Sequence, residues 1–272
     1  MPIHKTEAIV LNKRDFRETS LIVNLYTRDF GKISGILKGI KQDVSKFAST
    51  VELFSYNDII FYQKRASGLH LISQCELKDN FNLIRNSVVK ISSASLMIEL
   101  VDVIMPAEDK NEEVFDLTLN CLKELGQSNN SEKIMTIFKI KILTLSGFKP
   151  HLDSCVICGL KIKGEAKFSL SLGGLLCLRC APKDRCARSI FRGTVATILY
   201  IEKNDLKTNL NLGMNPQIKK ELGLLLNSFM RWALPIFDFL LQRNLISWCQ
   251  SWQKFQKNFW TSTRSLSLGL SG

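Results

Sequence analysis

Two cysteine pairs, Cys155-x-x-Cys158 and Cys177-x-x-Cys180, stand 18 residues apart and constrain this chain more than any other feature. Two residues between cysteines let a tight turn aim both sulfurs at one ion, and this spacing matches a zinc ribbon or a related treble-like knuckle. Gly159 directly follows Cys158, and Ser171-Leu172-Gly173-Gly174 supplies the turn of a hairpin between the pairs. Four thiolates complete a tetrahedron and leave no open position for water or substrate, so one structural Zn2+ is expected rather than a hydrolytic one. Alternatives stay open at this level. Cys186 is a substitute ligand if the register slips, His151 lies four residues before Cys155, and four free thiols without metal are the bland reading. Cys75, Cys121 and Cys249 read as core or tail positions.

Eight cysteines would suit a disulfide framework, but Met-Pro-Ile-His-Lys-Thr-Glu at the N-terminus lacks the apolar run of a signal peptide. No stretch approaches the roughly 20 apolar residues of a spanning helix. Reduced thiols, a cytoplasmic location and no membrane partner are the expectation. The net charge of +12 favours a polyanionic partner. Its distribution is uneven: 12 basic and 9 acidic groups in residues 1–80, 8 and 9 in 81–150, 17 and 7 in 151–272.

An α+β fold follows from the patterning. Ala8 to Lys13, Ser20 to Thr27, Lys32 to Lys38, Asp58 to Tyr62 and Leu69 to Glu76 are short β-branched or aromatic runs separated by turn signals such as Asp29-Phe30-Gly31-Lys32. Five short strands in residues 1–80 suggest a small closed barrel, and the oligonucleotide-binding (OB) barrel is the commonest such form that binds nucleic acid. From Ser87 the period becomes helical. Val89, Leu96, Leu100 and Val103 form one stripe ending at Met105-Pro106; a second helix runs from Glu112 to Leu125 and is closed by Gly126 with Ser128-Asn129-Asn130; a third carries Ile134, Phe138, Ile142 and Leu145 and stops at Gly147. After the cysteines, Thr194 to Lys203 reads as a short helix. Ile218, Leu222, Leu225, Phe229, Trp232 and Ile236 form a longer stripe interrupted near Pro235. Stripes of this kind read first as packed core. The expected division is an OB domain at 1–80, a helical domain at 81–246 with the cysteine element at 151–190, and a disordered tail at 247–272 with Trp248, Trp252, Trp260 and a Ser-Leu repeat.

Arg14 and Arg17 fall in the loop after the first strand, Arg28 and Lys32 flank the second turn, and Lys38, Lys41 and Lys46 follow the third strand. Barrel loops of this kind can track a phosphate backbone, with Phe16 or Phe47 available for base stacking. Lys161, Lys163, Lys167, Arg179, Lys183, Arg185, Arg188 and Arg192 crowd around the cysteines and would extend such a path by charge alone. A solvated surface is the plain alternative for any one of them. No G-x-x-x-x-G-K-[ST] phosphate loop occurs. Neither C-x-x-C pair follows a proline, as a zinc deaminase would require, and His4, His70 and His151 are scattered. The chain therefore reads as a non-enzymatic nucleic-acid-binding protein. Two rivals are a zinc-dependent nucleic-acid-modifying enzyme and a zinc-ribbon transcription or translation factor. The acidic run of Asp102, Glu108, Asp109, Glu112 and Glu113 is what an enzyme reading would use, although solvation or capping suits it better.

The order of parts resembles the bacterial recombination mediator family RecO. The resemblance rests on Thr6-Glu7-Ala8-Ile9-Val10-Leu11, on Arg17-Glu18-Thr19-Ser20, on Tyr26-Thr27-Arg28-Asp29-Phe30-Gly31-Lys32 and on Gly39. It continues through Leu145-Ser146-Gly147-Phe148-Lys149-Pro150 into Cys155-x-x-Cys158-Gly159 and covers residues 3–245. It implies an OB barrel, a helical domain with an inserted zinc element, and a function: annealing complementary strands and helping load RecA onto DNA coated by single-stranded DNA-binding protein. Single- and double-stranded DNA, RecR and the acidic, apolar C-terminal tail of single-stranded DNA-binding protein are the implied partners. The basic apolar segment from Ile218 to Arg231 would suit that tail. RecO-like chains end soon after the last helix, whereas this one continues from Trp248 to Gly272.

Overall fold

The computed structural model describes residues 2–40, 51–64 and 68–234. Lys41, Lys46, Phe47, Ile236, Cys249 and the tail at 247–272 lie outside the described residues.

Five strands, β1 (Ile3–Phe16), β2 (Ser20–Thr27), β3 (Gly31–Leu37), β4 (Tyr56–Tyr62) and β5 (Leu69–Asp79), close a barrel in the order β1-β2-β3-β5-β4, the OB arrangement. All neighbours are antiparallel except β3 and β5. Closure depends on β1 being longer than its Ala8 to Lys13 core. Ile3 to Ile9 pair with β4 and Ala8 to Phe16 with β2, with a register shift between Val10 and Asn12 that bends the strand around the barrel. Ala8, Val10, Val23, Leu25, Ile33, Ile59, Phe61 and Ile72 fill the interior.

A short helix α1 (Asn82–Arg85) leads to α2 (Val88–Ile104), α3 (Glu112–Gln127) and α4 (Ser131–Leu145). Asn111 and Asn130 cap α3 and α4 by accepting backbone N–H bonds from Val114 and Lys133. The expected α4 face is correct: Ile134, Phe138 and Ile142 are fully buried. The α2 face differs. Val89 is 64% exposed, while Ala94, Met97, Ile98, Leu100, Val101 and Ile104 are buried. Apolar residues surround that helix on most sides, so the packing partners and not its period decide which side is covered. The expected closing segment ends α3: the helix runs through Gly126 to Gln127, and Ser128 is its cap.

The cysteine-bearing insert holds a three-stranded sheet, β7-β6-β8, from β6 (Ala166–Ser169), β7 (Gly174–Cys177) and β8 (Arg188–Ile190). The hairpin turn falls at the expected Ser171 to Gly174, and β8 adds a strand the sequence pattern does not reveal. Helices α5 (Arg192–Lys203), α6 (Leu206–Asn211) and α7 (Pro216–Ala233) follow. In α7 the expected Leu222 and Phe229 are buried together with Leu226 and Met230, Ile218 and Leu225 pack beside them, and among the described residues only Trp232, 47% exposed, departs from the expected stripe.

Barrel and helices share one seam. Tyr26 stacks on Phe115 at 6.4 Å, Tyr56 meets the same ring edge-on, and the Tyr26 hydroxyl donates to the Asn111 carbonyl. Glu7 accepts from Arg28, Lys78 and the Tyr56 hydroxyl, and Arg28 reaches on to Asp116 at 2.9 Å. Burial on its own would raise the Glu7 carboxyl, but Lys78, Tyr56 and Arg28 outweigh it and hold it at about 2.

At Gly31 the backbone takes a φ of +64°, and an added Cβ would lie 2.1 Å from the Asp109 carbonyl oxygen. The left-handed backbone alone costs a side chain about 1 to 2 kcal/mol, and the seam has to part besides. Gly31→Ala is therefore expected to lose about 3 kcal/mol or more of stability in urea unfolding. A loss under about 1 kcal/mol would show that Gly31 does not set the approach of barrel and helices. The Glu7 network gives a second expectation. A depressed carboxyl stabilises the fold fully above its unfolded value of 4.5, and that contribution is lost as pH falls toward about 2. Glu7→Gln should flatten the acid limb of an unfolding curve over that window, by on the order of 3 kcal/mol.

Candidate metal centre and nucleic-acid interface

The Sγ atoms of Cys155, Cys158, Cys177 and Cys180 all lie within 4.8 Å of one another, and those of Cys158 and Cys177 are 3.9 Å apart. A tetrahedral tetrathiolate with metal–sulfur bonds of about 2.3 Å places its sulfurs roughly 3.8 Å apart, so the four side chains fit one ion. Cys155 and Cys180 are buried and Cys158 and Cys177 half-buried. Two turns aim them: Gly159 N–H donates to the Cys155 carbonyl, and Cys180 N–H to the Cys177 carbonyl. Leu176, Ala181, Val156, Ile162 and Ala187 pack around the sulfurs. Burial raises the Cys155 thiol, but the backbone N–H groups of Cys158, Cys177 and Ile157 prevail and hold it down at about 6. Cys180 is pushed up to about 12 by burial and by the other three sulfurs. Together the two shifts describe a site ready to become anionic whose sulfurs oppose one another's ionisation, a conflict that a bound cation removes.

Neither substitute ligand joins the cluster. His151 Nε2 lies 2.8 Å from Ser154 Oγ, and its backbone pairs with β7 through Gly173 and Leu175. Cys186 is exposed and donates its N–H to Asp184. Cys75 and Cys121 are buried in the two cores. Among the described residues the four cysteines form the one group of three or more metal-ligating side chains. The acidic run is engaged elsewhere. Asp102 pairs with Lys32 at 3.3 Å, Glu108 faces His70 at 3.6 Å, and Glu112 pairs with Lys110 at 2.7 Å.

The barrel's basic residues divide into two groups. Arg14 is exposed on β1, Arg17 occupies the β1–β2 turn with its guanidinium 5.3 Å from the Phe16 ring centre, and Lys38 is exposed just past β3. Strand register brings the three to one end of adjacent strands, since Arg14 lies opposite Ile22, Ile22 opposite Ile36, and Leu21 opposite Leu37. None of the three has an ion pair among the described residues. Arg28 and Lys32 instead belong to the seam. Arg28 stacks 4.6 Å over Phe115 between Glu7 and Asp116, and Lys32 lies between the side chain and the carbonyl of Asp102.

The seven basic residues of the insert and Arg192 at the start of α5 are exposed except Lys167, which is half-buried, and none forms an ion pair with another described residue. Sequence patterning misses a cavity of about 370 Å³ between the insert and α7, lined by Phe168, Leu170, Arg188, Ile190, Leu224 and Leu225. It exists only because β8 joins β6, and the three residues of β8 carry too weak an alternation to signal a strand. Glu221 ties its rim by accepting from the Phe191 N–H and the Thr194 hydroxyl.

The family described as Recombination protein O, N terminal, matches residues 1–81, and the one described as Recombination protein O, C terminal, matches 85–239. A DNA repair protein RecO from Alkaliphilus metalliredigens is 32% identical over 229 residues, 83% of this chain and 92% of that protein. Its counterpart from Syntrophus aciditrophicus is 31% identical over 226 residues, 80% and 87% of the two chains. The protein of that name from Listeria monocytogenes serotype 4b is 29% identical over 227 residues, 84% and 88%. No described helix is long and apolar enough to cross a membrane.

The cluster should bind about one equivalent of metal per chain, measured by elemental analysis of the purified protein. Cys177→Ser with Cys180→Ser is expected to lose it and to expose the amides of β6, β7 and β8 to hydrogen exchange, while the barrel amides keep their protection. Full metal retention would show that these thiols are not the ligands.

Proposed function

Since the chain belongs to the RecO family of DNA repair proteins, we propose that it is a non-enzymatic recombination mediator. It binds single- and double-stranded DNA, anneals complementary strands, and helps load RecA onto DNA coated by single-stranded DNA-binding protein, with RecR as its partner in the cytoplasm. The observation that carries this reading is the closed OB-order barrel with Arg14, Arg17 and Lys38 exposed at one end and without ion partners among the described residues. Phosphate contacts from such groups release counterions and give affinity without sequence reading, and the Phe16 ring beside Arg17 offers a stacking face.

The ion we assign to the four cysteines is zinc, for which four thiolates are the ordinary structural set. Bound there, zinc would offset half of the thiolate charge and cross-link the two knuckles, and with all four positions filled by Cys155, Cys158, Cys177 and Cys180 it would supply no catalysis. Three of the five carboxylates that an enzyme reading would use are engaged elsewhere: Asp102 pairs with Lys32, Glu112 with Lys110, and Glu108 faces the buried His70 ring. The groove between β6, β8 and α7 suits the acidic, apolar tail of single-stranded DNA-binding protein: apolar side chains line it and Arg188 lies among them. We take the division of the chain into a barrel at 1–80 and a helical part at 81–246 as the working unit of this function.

Binding of fluorescent single strands should weaken steeply with salt and show no sequence preference. The triple variant Arg14→Glu, Arg17→Glu, Lys38→Glu should weaken it alike for all sequences and lower the slope of log K against log salt by about 2. Strand annealing in the presence of single-stranded DNA-binding protein should slow in parallel. Salt-insensitive binding, or a strong preference for one sequence or for RNA, would overturn this reading in favour of a zinc-ribbon factor.

A further inference from the structure

Among the described residues, the densest unpaired charge lies on the cysteine-bearing insert and not on the barrel. Six basic side chains are built around the metal core itself. Lys161 and Lys163 flank Ile162, which packs on the sulfurs; Lys167 lies on β6 opposite Leu176; Arg179 precedes Cys180; Lys183 donates its N–H to the Cys180 carbonyl; and Arg185 leads into Cys186 and Ala187. None has an ion pair among the described residues. Of the two acids within this stretch, Glu165 is exposed between Lys163 and Lys167, and Asp184 is held by the protein itself, accepting from the Ser169 and Ser171 hydroxyls and from the Cys186 N–H. A tetrathiolate around a divalent ion carries a formal charge of about −2, so neutralising it would engage about two of the six and leave the rest available to a partner.

We propose that the insert is a second nucleic-acid surface, which holds the sugar–phosphate backbone of one strand while the barrel end holds another, so that a single copy of the chain brings two strands together. This rests on the DNA-binding reading of the barrel. The core that contains Ile9, Tyr26 and Tyr56 of the barrel also contains Phe168, Leu175 and Ile190 of the insert, so the two charged surfaces belong to one packed body. Two strands repel as polyanions, and separate cationic surfaces on one body screen each from the other. Nucleic acid fits this face better than an acidic peptide does, because a peptide needs apolar anchor pockets. The apolar groove is lined by Phe168 and Arg188, whose side chains lie on the face of the β6–β8 sheet opposite that of Lys167.

The test uses the full chain with bound metal and two non-complementary oligonucleotides carrying a donor and an acceptor dye. The wild type should give energy transfer when both are present. The variant Lys161→Glu, Lys163→Glu, Arg179→Glu, Arg185→Glu should bind a single oligonucleotide within about threefold of wild type, yet lose the energy transfer and slow annealing by about tenfold or more. If that variant loses metal, the corresponding glutamine set, confirmed to hold one equivalent, provides the same readout with a smaller loss of the same sign. Unchanged energy transfer and annealing in a metal-replete variant would overturn the second surface and leave the barrel reading intact. Failure of the wild type to bind either oligonucleotide would overturn both.

Discussion

One apolar core runs without a break from the barrel wall to the cysteine-bearing insert, and the rest of the structure depends on it. Ile9, Leu11, Tyr26, Phe54 and Tyr56 leave the barrel side of the seam, meet Phe115 and the buried faces of α2, α3 and α4, and continue through α7 to Phe168, Leu175 and Ile190. Aromatic and aliphatic side chains of this size each contribute on the order of 2 kcal/mol when removed from water, so the parts of the chain have more to gain from staying docked than from moving apart. The barrel's own interior is a separate and smaller cluster. A barrel that supplies five residues to its neighbour's core is a fixed part of the body, which is what a surface needs in order to hold a strand in a defined place.

The polar rim of that seam explains why charge read from sequence misleads at two positions. Arg28 and Lys32 lie in a turn motif that looks exposed, in a strand ladder whose other basic residues do face water. Yet Arg28 lies between Glu7 and Asp116 over an aromatic ring, and Lys32 reaches the end of α2. Removing one partner of such a half-buried pair leaves the other without compensation, so replacing Arg28 would harm docking before it harmed any phosphate contact. Deciding between the two roles requires knowing that Glu7 on β1 and Asp116 on α3 converge on one guanidinium, and no local pattern encodes a contact 88 residues apart.

Where the sequence was legible, a strict local period or a chemical constraint made it so. The strands of the barrel alternate and are separated by turn residues, and the four cysteines admit few geometries, so the closed barrel and the converging sulfurs are both legible in local pattern. The buried side of α2 is not. There the run Leu96-Met97-Ile98 offers apolar side chains in three successive directions, so the helix has apolar composition but little phase, and the phase comes from tertiary packing. In α7 the phase is legible, with Leu222 and Phe229 buried and Ile218 and Leu225 packed beside them. Strand β8 was illegible for a related reason: three residues cannot display a period of two convincingly, and its existence depends on β6 being there to pair with.

The middle of the chain shows how a basic protein can keep its charge at particular places. Residues 81–150 carry 8 basic and 9 acidic groups, and three lysines of α4 are turned to internal use. Lys133 donates to the Leu210 carbonyl in the last turn of α6, Lys141 to the Glu202 carbonyl in the last turn of α5, and Lys139 to the Asn227 side chain of α7. Ammonium groups at helix C-termini satisfy carbonyls that the helix leaves open and oppose its dipole, so these cations are structural. Burial lowers all three lysines from their ordinary value, as expected for cations withdrawn from water. Residues 81–150 are thereby close to balanced in charge, and the positive excess of the chain lies outside them: residues 151–191 carry 7 basic and 3 acidic groups, and residues 192–234 carry 6 and 3. A polyanion is therefore drawn to the parts of the chain on either side of α1 to α4 in sequence and not to those helices themselves.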